Sequence, residues 1–140
     1  MPEKIDRIIC EISDFCFPLR HQTKTLTMEK AKYEIKYLEG AVSFLKSLDS
    51  QVAAKIMYNI DKSKYVLDKE LFKKLEGTDI WEFRTLYNGI AYRLFAFWDT
   101  RKDALVIATH GFIKKTNKTP QKEIAKALAI RERYFHENKN

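Results

Sequence analysis

Three side chains invite a chemical reading because of where their strands would put them. They are Arg84 in Ile80-Trp-Glu-Phe-Arg84, Arg93 in Ala91-Tyr-Arg-Leu-Phe95, and His110 at the end of the apolar run Ala104–Thr109. Between the first two lies Asn88-Gly89. A two-residue Asn-Gly loop between β-prone runs signals a tight hairpin, because both loop residues must take positive φ. That loop fixes a register: Tyr87 faces Ile90, Leu86 faces Ala91, Thr85 faces Tyr92 and Arg84 faces Arg93. Like charges directly opposite each other cost a few tenths to about 1 kcal/mol, so the pair calls for something anionic between them. Glu82, on the same face, is one candidate and makes the arrangement structural. An external phosphate is the other, since guanidinium stays charged at any working pH and can bond two oxygens at once. On the phosphate reading, cutting either arginine relieves repulsion and leaves stability equal or raised. On the carboxylate reading, stability falls.

His110 alone would more often be structure than catalyst. Beside two arginines it becomes a candidate general acid or base, with Glu82 as a second candidate base. An evenly sized loop centred on Arg101-Lys102 would pair Trp98 with Leu105 and Arg93 with His110, giving one row of Arg84, Arg93 and His110. A three-residue loop would turn His110 to the opposite face. Candidate cations for a phosphate backbone, and so for RNA, flank this row: Lys114, Lys115 and Lys118 in the following turn, and Lys73-Lys74 in the loop upstream. Phe112 and Tyr87 have the shape to stack on bases, but core packing or turn support explains each as well. No metal constellation or cofactor motif is visible, and His21 and His136 lie far from the row in sequence. A nuclease made from these groups would use the RNA's own 2′-hydroxyl as nucleophile, with Arg and Lys stabilising the added charge. Such a site would not cut DNA.

The elements that must position these groups follow from hydrophobic period. Tyr33–Leu38 alternates and ends at Gly40, which fits a first strand. Ala41, Phe44, Leu45 and Leu48 form one helical stripe. Asp49-Ser50 interrupts it and can cap a second helix, in which Val52, Ile56, Ile60 and Leu67 recur to about Val66. Asp68–Asp79 reads as a loop. The hairpin strands Ile80–Tyr87 and Ile90–Trp98 follow, then a polar turn over Asp99–Asp103 and a strand over Ala104–Phe112. Trp81, Phe83, Tyr92 and Leu94 fall on the face opposite the arginines and read as core beneath the helical hairpin. Thr119-Pro120 suits a helix start, and the last helix, to about Phe135, carries Ile124, Leu128 and Phe135 on one stripe. The result is an α+β fold, with a helical hairpin, a C-terminal helix and a small, mostly antiparallel four-stranded sheet.

At 140 residues one domain is the default, and the net charge of +7 is unevenly spread. Residues 1–30 balance acids against bases, so the whole excess lies in 31–140 and is densest after residue 110. Such a surface suits an anionic partner, nucleic acid or acidic protein, although a merely solvated basic face has the same composition. Cys10 and Cys16 show no CxxC or zinc spacing and read as thiols in a reducing compartment. The longest apolar runs, such as Leu94–Trp98, fall far short of the roughly 20 residues a membrane helix needs, so a cytoplasmic protein with no membrane contact is expected. In residues 1–30, Ile5, Ile8, Ile9, Ile12 and Phe15 recur at helical spacing. Three readings stand open there: a docked extra helix, an appendage, or sequence upstream of a start at Met28.

His110-Gly-Phe-Ile-Lys-Lys-Thr-Asn-Lys-Thr-Pro120, with Glu123-Ile124 and Ala127 after it, resembles the signature of the HigB-like branch of the RelE/ParE type II toxin superfamily, a phage-derived, toxin-like group. Ile80–Arg84 and Ala91–Phe95 look like that branch's two preceding strands. The likeness covers roughly 31–135, dividing the chain into an extension, 1–30, and a toxin domain, 31–137. It implies two helices on a four-stranded sheet and a toxin that cuts mRNA in the ribosomal A site, an endoribonuclease that inhibits translation. The matching positions are Arg84, Arg93 and His110, with Lys73, Lys114 and Lys115. It implies as partners the ribosome, mRNA and a cognate antitoxin carrying a helix-turn-helix DNA-binding domain. The same superfamily holds ParE-like inhibitors of DNA gyrase that do no nuclease chemistry, and an inactive basic RNA-binding relic is a third possibility. The extension departs from the family pattern, and a chain beginning at Met28 is expected to fold and remain toxic.

Overall fold

The computed structural model describes residues 30–138. The readings of Cys10, Cys16, His21 and of an apolar stripe before Met28 therefore fall outside the described residues. The elements run β1 (Glu34–Tyr37), α1 (Glu39–Ser47), α2 (Ser50–Ser63), β2 (Phe72–Lys74), β3 (Trp81–Tyr87), β4 (Ile90–Trp98), β5 (Leu105–Lys114) and α3 (Gln121–Glu137). One five-stranded sheet is ordered β1-β5-β4-β3-β2. β1 runs parallel to β5 and every other pair is antiparallel.

Side-chain alternation divides the interior in two. Phe83, Tyr92, Leu94 and Ala96 meet Ala41 and Leu45 of α1 and Ile56, Met57 and Ile60 of α2. The other face of the sheet sends Ile80, Phe95, Phe97, Ile107 and Phe112 against Ala127 and Tyr134 of α3. β4 is thus covered on both sides, which is why it reads as a nearly continuous apolar run. The close fit of α1 to β5 depends on two glycines. A Cβ on Gly111 would collide with the Phe44 ring, and one on Gly40 would lie 2.7 Å from the Thr109 carbonyl oxygen. Alanine in a helix normally gains about 1 kcal/mol over glycine. Gly40→Ala should instead lower the thermal midpoint, because the obstructing atom is backbone and cannot rotate away. A midpoint that rises would mean α1 can lift from the sheet freely.

The hairpin register is as the Asn-Gly turn requires, with Arg84 opposite Arg93 and Asn88 and Gly89 at φ 51° and 78°. Other expectations need correction. The sheet has five strands, since β2 lies inside the segment read as a loop. Three residues are too few to show a period of two, and what holds them is Phe72 stacked on Phe83 at 4.3 Å and on Trp81 at 4.8 Å. Leu67 is 91% exposed and Leu128 39%, so neither belongs to its helix's buried stripe. α2 stops at Ser63, Asp49 makes no side-chain cap bond, and Pro120 rather than Thr119 stands at the N-cap of α3.

The last register also differs. Trp98 pairs with Val106, because Ala104 takes a left-handed turn at φ 50° and lengthens the connection by one residue. A bulge at Thr109 then adds another, so His110 faces Phe95 and Phe112 faces Arg93. Two one-residue slips return His110 to the arginine face, but displace it along the strand.

A candidate anion-binding face on the sheet

β3 and β4 bring Glu82, Arg84 and Arg93 together. Arg93 Nε lies 2.8 Å from Glu82 Oε1, and Arg84 Nε lies 3.6 Å from the same oxygen. Both are ion-pair contacts rather than aligned hydrogen bonds, and both Nε–H groups stay without a hydrogen-bond acceptor. Arg84 also reaches Glu70 at 3.8 Å and the Lys69 carbonyl at 3.4 Å, while Arg93 Nη1 donates to the Tyr92 carbonyl. Glu82 is 4% exposed and Arg93 8%. Burial, with Arg84 adding to it and Glu82 opposing, draws the Arg93 guanidinium below the usual arginine range. The carboxylate expected between the arginines is therefore present and is shared by both cations, with the exposed Glu70 as a second, longer contact to Arg84 alone.

Two lysines extend the cluster. Lys73 pairs with Glu82 across β2 and β3, and Lys74 pairs with Trp81. Consecutive strand residues point to opposite faces, so only Lys73 joins the arginines. Lys114, opposite Ala91 and one step along from the Phe112–Arg93 pair, lies on the same face. Burial first, then Arg93, Arg84 and Lys73, lower its pKa, with Glu82 pulling the other way. Lys115 and Lys118 are exposed in the turn that leads to α3.

His110 does not join this cluster. It is 3% exposed. Its Nδ1 meets Thr109 Oγ1 at 3.1 Å and its Nε2 meets Glu123 Oε1 on α3 at 3.2 Å. Phe95 packs edge-on against it, 5.7 Å between centroids, and Phe112 occupies the place in the row that His110 was expected to fill. Phe112 and Tyr87 both pack into the cores, on opposite faces of the sheet. Sequence reasoning missed Glu70, Thr109 and Glu123. No sequence signal links Glu123 to His110 until a bulge and a helix crossing bring them together.

Burial, then Lys126, lowers the His110 pKa, with Glu123 opposing. Its folded-state value lies below the ordinary 6.5, so as pH falls the unfolded chain takes up the proton first. The histidine's contribution to stability is whole above about pH 6.5 and is lost as pH drops from there through the lower folded value. His110→Gln should therefore flatten the fall in thermal midpoint between about pH 7 and pH 5. An equal slope in both proteins would mean the imidazole titrates alike folded and unfolded.

Among the described residues no group of three or more His, Cys, Asp or Glu is placed to hold a metal ion, and no helix is long and apolar enough to cross a membrane. The fold and face define a small α+β protein that presents guanidinium and ammonium groups from a mixed sheet. A family model described as phage derived protein Gp49-like (DUF891) matches residues 43–132. The match takes in more than half of the chain and every member of the basic face, and the chain belongs to this family, part of the RelE/ParE-like toxin superfamily. No individual curated protein matches significantly.

Proposed function

We propose that the protein is the toxin of a type II toxin–antitoxin pair, of the HigB-like kind, and that it cleaves mRNA on the ribosome in the cytoplasm. One observation carries the reading. Arg84 and Arg93 share the buried Glu82 carboxylate, Arg84 also reaches the exposed Glu70, and Lys73 and Lys114 lie on the same face, so four cations meet two carboxylates and positive charge is left over. A scissile phosphate is the natural complement. Its charge rises as the 2′-oxygen attacks, and fixed cations that need no reorganisation favour that state most. Lys115 and Lys118 follow the strand end and would hold flanking phosphates as point charges. The cognate antitoxin, with its helix-turn-helix domain, would neutralise the toxin by covering or distorting this face.

A gyrase-binding role for the same basic surface is the rival. A binding protein has no use for a positioned imidazole, and His110 is buried rather than offered to a substrate, so the histidine does not count against that rival. Mapping RNA 5′ ends after brief induction, beside a gyrase supercoiling assay, separates the two. New 5′ ends inside translated codons, absent from the Arg84→Ala variant, are expected. Loss of supercoiling without new ends would overturn the nuclease reading.

A further inference from the structure

We propose that Lys114 is the catalytic acid of this site, giving its proton to the departing 5′-oxygen of the RNA. The inference rests on the nuclease reading and adds the one component that reading leaves unassigned, the group that moves a proton. Three candidates came from the sequence face. His110 is enclosed by Thr109, Glu123 and Phe95, with both ring nitrogens already engaged. Glu82 is buried and its Oε1 faces two guanidiniums. Arginine keeps its proton at any working pH. Lys114 differs from all of these.

It ends β5 on the arginine face, opposite Ala91 and one same-face position along from the Phe112–Arg93 pair, with Arg84 on the far side of Arg93. It is half-buried, whereas Lys73, Lys115 and Lys118 are exposed. No hydrogen bond or ion pair holds its ammonium among the described residues. Three cations press on it, Arg93, Arg84 and Lys73, and one carboxylate, Glu82, opposes them. A protonated amine in that setting gives up a proton more readily than a solvated lysine does.

The step balances without a further reagent. The 2′-oxygen forms a bond to phosphorus as the bond from phosphorus to the 5′-oxygen breaks. The 5′-oxygen leaves with the electron pair and takes a proton from Lys114 Nζ. Water accepts the proton of the 2′-hydroxyl and solvent restores the ammonium. The products are a 2′,3′-cyclic phosphate and a 5′-hydroxyl.

Lys114→Arg keeps the charge and withholds the proton. On ribosome-bound mRNA it should cleave at least 100-fold more slowly than the parent, within the range that positioned proton transfer contributes. Sulfur in place of the scissile 5′-oxygen makes a leaving group that needs no proton, and it should bring the variant to within about tenfold of the parent. Carbon-detected titration of labelled lysines in the free protein should show Lys114 losing its proton below the others, a readout that does not depend on activity. Parental cleavage by Lys114→Arg, a deficit that sulfur leaves untouched, or a Lys114 that titrates with the surface lysines would each overturn the assignment while leaving the nuclease standing. A parent protein that cuts no RNA would remove both.

Discussion

Arg84→Ala should abolish most RNA cleavage and leave the fold almost as stable as before. Its side chain is 25% exposed and its contacts to Glu82 and Glu70 are long, 3.6 Å and 3.8 Å. Pairs of that kind contribute up to about 1 kcal/mol, and removing a cation from opposite Arg93 returns part of that. A donor aimed at charge that develops in the transition state is worth far more, roughly 100- to 1,000-fold in rate. Cleavage of ribosome-bound mRNA and thermal midpoint, measured on one preparation, give both quantities. Retained cleavage would leave Arg84 a surface residue and move the site elsewhere.

Arg93→Ala should lose cleavage to a similar degree, but here the fold suffers as well. From the strands alone, removing either arginine ought to relieve repulsion. The geometry reverses this for Arg93, because its guanidinium is the closer partner of a carboxylate that is 5% exposed. Breaking a buried pair from one side strands the other charge and costs about 3–5 kcal/mol, with Arg84 Nε close enough to hold the loss toward the lower figure. Arg84 is thus the cleaner probe of chemistry.

The contrast separates what the sequence specifies locally from what only the assembled fold decides. Asn88-Gly89 is a local signal with a unique geometric consequence, so Arg84 against Arg93 was legible residue by residue. The helical hairpin and the hidden face of β3 and β4 were legible from period alone: Phe83, Tyr92 and Leu94 lie where alternation puts them. What failed depends on non-local contacts. The Thr109 bulge has no glycine to announce it, and Ala104 takes its left-handed turn without the residue type that would suggest one. Each shifts β5 by one residue, and together they exchange His110 for Phe112 beside Arg93. β2 exists because Phe72 finds aromatic partners on the neighbouring strand, and three residues cannot advertise that. The family match supports the toxin-like class and carries no residue roles with it.

Glu82→Ala should be among the most destabilising single changes on this face, and Arg93→Ala in the same chain should recover much of the loss. Alone, the substitution leaves Arg93, 9% exposed in its side chain, facing Arg84 across the ladder with no carboxylate between them. A buried charge stripped of its partner costs roughly 3–5 kcal/mol, whereas a pair removed together costs far less. The double variant should therefore fall short of the sum of the singles by about 0.5–3 kcal/mol, the range for residues in direct contact. The same cycle tests what Glu82 does for cleavage. As the holder of two guanidiniums, Glu82 replaced by Gln should lower the rate by the same factor at every pH and leave the shape of the pH–rate profile unchanged. As a general base, its replacement would instead remove an acid limb that the parent profile shows. Additive singles in the unfolding measurement would mean that the 2.8 Å contact between Glu82 and Arg93 contributes nothing to stability. The carboxylate would then have no claim to orient the arginines, and the charge surplus on this face would have to be held by the backbone of β3 and β4 alone.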